Sequence, residues 1–272
     1  MGSWTLETIA WDRFDASKVD SEILRNIKAA ALVERNGADY GIYLARVFGD
    51  DPSFMESVKG WVSEEIQHGM ALGRWAQLAD PTWDFDAAFA RFRAGYKLPL
   101  EASGSVRGSQ AGEMMARCIV ETGTSSYYSA LKDASDEPVL KQVCAKIAAD
   151  EFRHYKLFYA HLRRCLQRDR LSRWSRLRIG WDRLAESEDD ELAYAYFAAN
   201  EPLDAVYDRE RCMRAYARRA YPLYRESHVQ RAMAMVLKAI GLQPQGWLNR
   251  LMTRAGLWFL RRNATKYDAQ EA

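Results

Sequence analysis

The sequence predicts an all-α protein in which four long helices form a bundle and further helices follow at the C-terminal end. Apolar residues recur at three- and four-residue spacing, as on one face of an α-helix, and no strand-like alternation of useful length is present. The longest segments with this spacing are 19–49, 52–79, 109–134 and 138–168. They are separated at 49–52, 80–81 and 136–138, where aspartate and proline cluster.

These four segments pair into two helical hairpins. Short breaks join the first segment to the second and the third to the fourth, so each pair is expected to be antiparallel. The connection 80–108 is long enough to run the length of the bundle and is expected to contain a short helix near Phe85–Tyr96. We therefore divide the chain into a bundle at 1–168 and a helical extension at 169–272 that packs on it. The extension has helical patterns near 171–197, 201–220, 222–240 and 245–262.

Composition favours a cytoplasmic protein with a sizeable core. The chain has 272 residues, of which 48% are hydrophobic and 28% are charged, and this composition argues against disorder. No stretch reaches the roughly 18–20 apolar residues that a membrane span needs, and the first residues lack a signal-peptide core. The four cysteines form no C-x-x-C pair and are expected to be reduced thiols. A net charge of +2 gives little support to a nucleic-acid partner.

The first hairpin carries three candidate metal ligands. Glu65 and His68 form a Glu-x-x-His tetrad, and residues three apart share one face of a helix. Glu34 lies sixteen residues before Asp50 in the turn, and Glu65 lies fifteen residues after it. In an antiparallel hairpin such residues meet at one height, so the three side chains are expected to face one point.

The second hairpin repeats the arrangement. Glu151 and His154 form another Glu-x-x-His tetrad, and Glu121 lies upstream of it. Counted from Asp136 in the turn, Glu121 is fifteen residues before and Glu151 fifteen residues after. A single Glu-x-x-His tetrad is commonplace on helix surfaces, but two tetrads with upstream glutamates at matched heights are not. The pattern is typical of a dimetal carboxylate site in a four-helix bundle.

We assign three ligands to each metal ion. One ion would be held by Glu34, Glu65 and His68, and the other by Glu121, Glu151 and His154. Glu65 and Glu151 are expected to bridge the two ions, and either iron or manganese suits such ligands. The segment 1–155, which contains all six, carries 17 basic and 23 acidic side chains, so cations would offset carboxylates that otherwise repel one another.

Two further acids directly precede the tetrad glutamates. A metal-bound histidine usually donates its second ring N–H to a carboxylate, so Asp150 is expected to support His68 and Glu64 to support His154. The alternative is that either acid is an ordinary solvated helix residue.

The tetrads also carry a family resemblance. The segment Trp61–Gly69 resembles the Trp-x-x-Glu-Glu-x-x-His-Gly signature of the soluble acyl-carrier-protein desaturases, and Ile147–His154 resembles the second signature of that family. The likeness covers about residues 20–168 and implies a ferritin-like four-helix bundle with additional C-terminal helices. It further implies two iron ions, O2 as co-substrate and a homodimer. Manganese or a mixed pair of ions is an alternative. Because the cysteines form no redox site of their own, electrons are expected from an external ferredoxin-like donor.

Thr124 matches a threonine that this family places beside its oxygen-binding pocket, where a hydroxyl could relay a proton. The alternative is an ordinary hydroxyl bonded to a backbone carbonyl one turn earlier. The poor helix formers around it, within 123–126, suggest a relaxed helix or a π-bulge. Gly37 and Gly41, one and two turns beyond Glu34, suit either a substrate channel or close helix packing.

Several functions are compatible with these motifs. The first is an O2-dependent oxidase, of desaturase or hydroxylase type, acting on an unactivated C–H bond of a long apolar acyl substrate. The alternatives are a ferroxidase or another iron-handling protein, a peroxide-reducing protein and a catalytically idle scaffold. The arginine-rich segments 163–183 and 247–262 could contact an acidic acyl carrier protein or a membrane surface, or could be solvated helix faces.

Overall fold

The computed structural model describes residues 4–98, 100–101, 104–185 and 190–271, and every regular element in these ranges is helical. The α-helices are α1 (Ser21–Arg35), α2 (Gly37–Phe48), α3 (Pro52–Ala79), α4 (Phe85–Gly95), α5 (Gln110–Ala134), α6 (Pro138–Asp169), α7 (Arg173–Ala185), α8 (Asp190–Asn200), α9 (Arg209–Ala220), α10 (Glu226–Ala239) and α11 (Trp247–Glu271). Short 3-10 turns at Leu6–Thr8, Trp11–Arg13 and Ala16–Lys18 precede α1, and another at Tyr221–Leu223 follows α9. The all-α prediction is confirmed for the described part of the chain.

Side-chain caps explain where the two longest helices begin. The Asp51 carboxylate accepts a hydrogen bond from the Phe54 N–H at 3.0 Å, and Pro52 occupies the first helical position of α3. The same arrangement starts α6, because the Glu137 carboxylate accepts from the Leu140 N–H at 2.7 Å. These acids satisfy backbone donors that have no partner within the helix. The starts predicted for these two helices from the aspartate and proline clusters, 52 and 138, are therefore confirmed.

The predicted helix 19–49 is interrupted at Asn36. Helix α1 ends at Arg35 and α2 begins at Gly37, while Asn36 has φ −78° and ψ 4°. Asparagine and glycine are both weak helix formers, so this pair is the local signal for the interruption. The interruption lies two residues beyond Glu34, and it redirects the chain directly after that side chain.

The relaxed helix predicted within 123–126 is wrong, since α5 continues through these residues as a regular α-helix. Its hydroxyl groups bond to carbonyls of the preceding turn: Thr122 Oγ1 donates to the Cys118 carbonyl at 2.8 Å, and Ser129 Oγ donates to the Ser125 carbonyl at 2.7 Å. The burial of Ser125 and Ser126 in the core, together with such hydrogen bonds, outweighs the weak intrinsic preference of this run.

The extension differs from the prediction in its boundaries. The segment predicted at 171–197 is divided into α7 and α8, and the residues between them, 186–189, lie outside the described part of the chain. The segment predicted from 201 becomes helical only at Arg209, after turns that follow Pro202, and it is capped by the Asp208 side chain. Similarly, α10 begins at Glu226, after the turn that contains Pro222.

The helices pack in the pairs that the short breaks require. Helix α1 packs on α3, α5 packs on α6, and α3 also contacts α6. Helix α8 covers α1, while α7 and α10 lie against α5. Residues of the extension enter the same apolar clusters as bundle residues, so the segment after 168 packs on the bundle. No described helix combines the length and the apolarity needed to cross a bilayer.

Two apolar clusters lie at different heights along the bundle. In α6, residues 139–148 belong to one cluster and residues 155–165 to the other. The same division occurs in α5, where the first cluster takes residues 127–131 and the second takes residues 111–119. Between the clusters, each of these helices turns buried polar side chains inward. The candidate site therefore lies in a polar layer with dry, apolar packing above and below it.

Glycines let these helices approach closely. A Cβ on Gly37 would lie 2.6 Å from Glu65 Cβ, and one on Gly41 would lie 2.7 Å from Val62 Cγ2. Both distances are shorter than side chains tolerate, so the two glycines bring α2 against α3. This geometry favours close packing over a channel as the role of Gly37 and Gly41.

A matched pair of glycines in α3 tests the importance of close packing. A Cβ on Gly69 would lie 2.7 Å from Arg35 Cα, whereas a Cβ on Gly60 would meet no atom within 4 Å. We expect Gly69→Ala to lower the free energy of unfolding by about 2 kcal/mol, because α1 must move away. Gly60→Ala should instead raise it by about 0.5–1 kcal/mol, since alanine is the better helix former. Urea unfolding of the two metal-free variants measures both changes, and equal effects would contradict the packing argument.

Candidate metal centre

Four helices bring the six predicted ligand side chains into one buried layer. Helix α1 supplies Glu34, α3 supplies Glu65 and His68, α5 supplies Glu121, and α6 supplies Glu151 and His154. All six are buried, with relative exposures between 0% for His68 and 9% for Glu65. The first set ends at His68 and the second begins at Glu121, 53 residues later, so only the packing of the two hairpins brings the sets together.

The first group of side chains surrounds the Nδ1 atom of His68. This atom lies 3.1 Å from Glu151 Oε1 and 3.5 Å from Glu34 Oε2. With Glu65, these residues offer four atoms that all lie within 4.8 Å of one another and could hold a metal ion.

The second group surrounds the Nδ1 atom of His154. This atom lies 3.0 Å from Glu65 Oε1 and 3.5 Å from Glu121 Oε2. Together with Glu151, these atoms form another set within 4.8 Å that could hold a metal ion. Glu65 and Glu151 belong to both groups, which is the arrangement expected of two bridging carboxylates. The two imidazole rings are 5.8 Å apart, centre to centre.

Each of the six residues has one buried nitrogen or oxygen atom without a hydrogen-bond partner in the described part of the chain. These atoms are Glu34 Oε2, Glu65 Oε1, His68 Nδ1, Glu121 Oε2, Glu151 Oε1 and His154 Nδ1. An unsatisfied buried polar atom costs about 1–3 kcal/mol, so six that face one another are an expensive arrangement for the protein alone. Cations between them would satisfy all six at once. Carboxylate oxygens and imidazole nitrogens are donors that suit iron or manganese, so the residues present fit a pair of such ions.

The electrostatics of the layer show the same imbalance. Burial raises the pKa of Glu65 well above its ordinary value, and neighbouring carboxylates add to the shift. Burial and the charge of Glu151 raise the pKa of Glu121 to about 8. Burial also opposes ionisation of Glu151, but its contact with His68 and the histidine charges outweigh burial and lower its pKa to about 2. Burial lowers the pKa of both histidines, yet the surrounding carboxylates raise it well above its ordinary value. Without a cation the layer therefore disfavours ionisation of all its carboxylates at once, and a metal ion would supply the positive charge that the ionised carboxylates need.

The acids predicted to support the histidines contact them across the bundle. Asp150 Oδ2 lies 3.1 Å from His68 Nε2, and Glu64 Oε2 lies 2.7 Å from His154 Nε2. When each Nε2–H donates to its acid, each Nδ1 is left as a lone-pair donor directed at the centre of the layer. Arg153 joins the two acids, because its guanidinium donates to Asp150 Oδ1 at 2.5 Å and to Glu64 Oε2 at 3.2 Å. The histidine orientations are thereby held as one network.

Sequence reasoning missed Trp4. Its indole Nε1–H donates to Asp150 Oδ2 at 2.7 Å, and its ring stacks on His68 with a centroid distance of 6.0 Å and an interplanar angle of 4°. The N-terminal segment that carries Trp4 therefore closes one side of the site. No periodicity relates residue 4 to residue 150, so the pattern of the sequence held no signal for this contact.

Tyr128 was also missed. Its hydroxyl donates to Glu34 Oε1 at 2.6 Å, which leaves Oε2 as the free oxygen of that carboxylate. Here a signal existed, because Tyr128 lies seven residues after Glu121 and hence two turns along the same face of α5.

Thr124 contacts the carboxylate of a candidate ligand as well as backbone carbonyls of the preceding turn. Its Oγ1 lies 2.5 Å from Glu151 Oε2 and 3.3 Å from the carbonyl oxygens of Val120 and Glu121. A hydroxyl has one proton to donate, and the carboxylate at 2.5 Å is the nearest acceptor. Thr124 therefore directs its proton at the Glu151 carboxylate, while its part in catalysis stays a prediction.

Comparison with protein-family models and with curated proteins gives no match. The functional interpretation therefore rests on the side-chain geometry and on the physical chemistry of the donor set.

An open cleft lies beside the break between α1 and α2. It has a volume of about 270 Å³ and is lined by Arg35, Asn36, Ala38, Asp39, Ile66, Met70, Phe89 and Arg93. Several of these residues lie within two positions of Glu34, Glu65 or His68 along the chain. The cleft therefore adjoins the segments that carry Glu34, Glu65 and His68.

The supporting acids lead to a further prediction. Replacing Asp150 with alanine removes the acceptor for His68, Trp4 and Arg153 together, so the imidazole loses its fixed orientation. We expect metal affinity to fall about 10–100-fold, as measured by competition with a coloured chelator. The variant Trp4→Phe removes one donor but keeps a stacked ring, and it should have a smaller effect. Unchanged metal affinity in Asp150→Ala would refute the supporting role.

Proposed function

We propose that this chain is a ferritin-like dimetal oxidase that uses O2 to oxidise an unactivated C–H bond of a long apolar, acyl-type substrate, as a desaturase or a hydroxylase does. The observation that carries the proposal is the convergence of six buried, unsatisfied donor atoms into two groups that share Glu65 and Glu151. A hairpin pair with a long connection between its second and third long helices adds support, since ferritin-like bundles have this connectivity.

The chain's own residues have separate roles in this proposal. The six ligands would hold two iron ions, or manganese in one or both positions, and the ions would supply the reduction of O2 and the oxidising power for the C–H bond. Asp150 and Glu64 orient the imidazoles, and Tyr128 holds Glu34. The apolar clusters on both sides exclude water.

Electrons would come from an external ferredoxin-like donor. The four cysteines, Cys118, Cys144, Cys165 and Cys212, are buried free thiols. In the described part of the chain they form no cluster that could hold a metal ion. A cytoplasmic location, a homodimer and an acidic acyl carrier protein as substrate carrier belong to the same proposal.

A second candidate is a ferroxidase or another iron-handling protein. The open cleft of about 270 Å³ beside Asn36 favours it, because an opening of this kind admits ions more readily than a long chain. The two candidates share the dimetal centre and differ in what reaches it.

The experiment starts from purified protein whose bound metal is counted. The protein is reduced anaerobically and exposed to O2 with and without a fatty-acyl carrier-protein substrate, and products are analysed by mass spectrometry. About two iron ions per chain and an oxidised acyl product would support the oxidase. Many iron ions per chain, taken up without any acyl product, would support iron handling. Protein that binds no metal under any loading condition would refute both candidates.

A further inference from the structure

Helix α7 exposes apolar side chains on the face that points away from the protein. Trp174 is 82% exposed, Trp181 is 73% exposed and Leu177 lies between them at 36%. Their spacing of three and four residues places them on one side of the helix. The opposite side is also apolar, since Ile179 and Leu184 pack against the core. Two indoles with this exposure bury little surface in the fold.

Helix α11 has a similar outward stripe. Trp247 is 70% exposed, Leu251 is 55% exposed and Trp258 is 60% exposed, at spacings of four and seven residues. Asn249 and Thr253, on the other side, are buried. Four of the nine tryptophans in the chain are thus largely exposed on α7 and α11, although an indole ring is costly to leave in water.

The charges on α7 and on residues 247–262 of α11 are nearly all positive. Residues 173–185 contain four arginines and one acid, Asp182, and residues 247–262 contain four arginines and no acid. The net charges are therefore +3 and +4. The guanidinium of Arg262 lies over the ring of Trp258, with its carbon 4.9 Å from the ring centre. Cationic groups and indoles are interspersed along both helices.

Helix α7 packs against the end of α10. A Cβ on Gly180 of α7 would lie 2.7 Å from Ile240, which directly follows α10, and Arg176 of α7 reaches Gly241. Helix α11 begins only six residues later, at Trp247. Both arginine–tryptophan stripes therefore lie on helices that adjoin the end of α10, α7 by packing and α11 by a short connection.

We propose that α7 and α11 bind the surface of an anionic lipid bilayer. A protein partner, or a second copy of this chain, would need a close-packed apolar centre. Here the indoles stand singly, Trp174 and Trp181 about 10 Å apart along α7, with arginines among them. This pattern suits the headgroup layer, where an indole lies at the apolar boundary and a guanidinium pairs with phosphate. Binding requires neither metal nor catalysis, so its failure would leave the proposed function untouched.

The test is co-sedimentation of the full-length protein with vesicles of phosphatidylcholine alone or mixed with phosphatidylglycerol. We expect binding to the mixed vesicles, a blue shift of tryptophan fluorescence and weaker binding at high salt. The double variant Trp174→Ala/Trp181→Ala and the variant Trp247→Ala should each bind at least about tenfold more weakly. The control is Leu203→Ala/Val206→Ala, which removes side chains that are 90% and 84% exposed in the segment between α8 and α9. Circular dichroism checks that each variant keeps its helices.

Two results would overturn the proposal. One is wild-type protein that stays in the supernatant with both kinds of vesicle. The other is binding that the tryptophan variants retain in full. If sedimentation equilibrium then shows a dimer or a complex with an acidic carrier protein that the tryptophan variants cannot form, the face is a protein interface and not a membrane-binding one.

Discussion

Replacing Glu151 with glutamine is expected to abolish the binding of both metal ions. The glutamine amide has nearly the same volume as the carboxylate, but it carries no charge and cannot bridge two cations through two oxygens. Glu151 contributes to both groups of donor atoms, and its Oε1 atom lies 3.1 Å from His68 Nδ1 and 3.8 Å from His154 Nδ1. Its loss therefore affects the two positions together, whereas loss of Glu34 or Glu121 affects one position each.

Metal analysis and thermal unfolding measure this effect. Wild-type protein at free metal a thousandfold above the dissociation constant should gain about 4 kcal/mol of stability for each occupied position, because the metal binds only the folded chain. Glu151→Gln should show no such gain and should retain no metal after desalting. The control is Glu56→Gln, in α3, whose side chain is 76% exposed and lies outside the site. A Glu151→Gln variant that still carries two ions would end the bridging assignment.

The second large effect is expected at Glu137, in the turn between α5 and α6. This residue has no exposed surface, and its carboxylate accepts hydrogen bonds from three donors. The donors are the indole of Trp75 at 2.7 Å, the Leu140 N–H at 2.7 Å and the Asp15 N–H at 3.2 Å. The side chain therefore caps α6, satisfies a buried indole of α3 and holds the N-terminal segment.

We expect Glu137→Ala to lower the free energy of unfolding by about 4 kcal/mol, because it removes a helix cap and leaves buried donors without an acceptor. The neighbouring exposed Asp136 provides the control, and Asp136→Ala should change stability by no more than about 0.5 kcal/mol. Glu137→Gln keeps one acceptor oxygen and should be intermediate. Chemical denaturation of the metal-free proteins measures all three, and equal stability of Glu137→Ala and Asp136→Ala would contradict the capping role.

The polar layer was more predictable from sequence than the extension. Two residues that are equally distant from a tight turn meet at one height, and a spacing of three places two ligands on one helix face. These two rules suffice to bring Glu34 next to the tetrad of α3, and Glu121 next to that of α6. In the extension, by contrast, turns that contain Pro202 and Pro222 shift the helix starts by several residues, and the apolar spacing does not reveal the shift.

Within the bundle, two predictions of local structure were wrong: the uninterrupted helix over 19–49 and the relaxed helix within 123–126. Weak helix formers occur both at Asn36–Gly37 and within 123–126, and only the first run interrupts its helix. The difference is environmental, because α5 is buried on nearly all sides and its hydroxyls find carbonyl acceptors in the preceding turn. Intrinsic preferences of about 1 kcal/mol per residue are too small to decide such cases without the packing.

By itself, the sequence determined the helical class, the starts of α3 and α6 and, within each hairpin, the three side chains that face one point, because caps and face periodicity act over a few residues of one helix. Only the tertiary structure decided that Trp4 joins Asp150, that Tyr128 holds Glu34 and that α7 turns Trp174 and Trp181 outward. Such contacts depend on the relative positions of segments far apart in the chain. Those positions follow from the packing of all the helices at once, which local spacing does not encode.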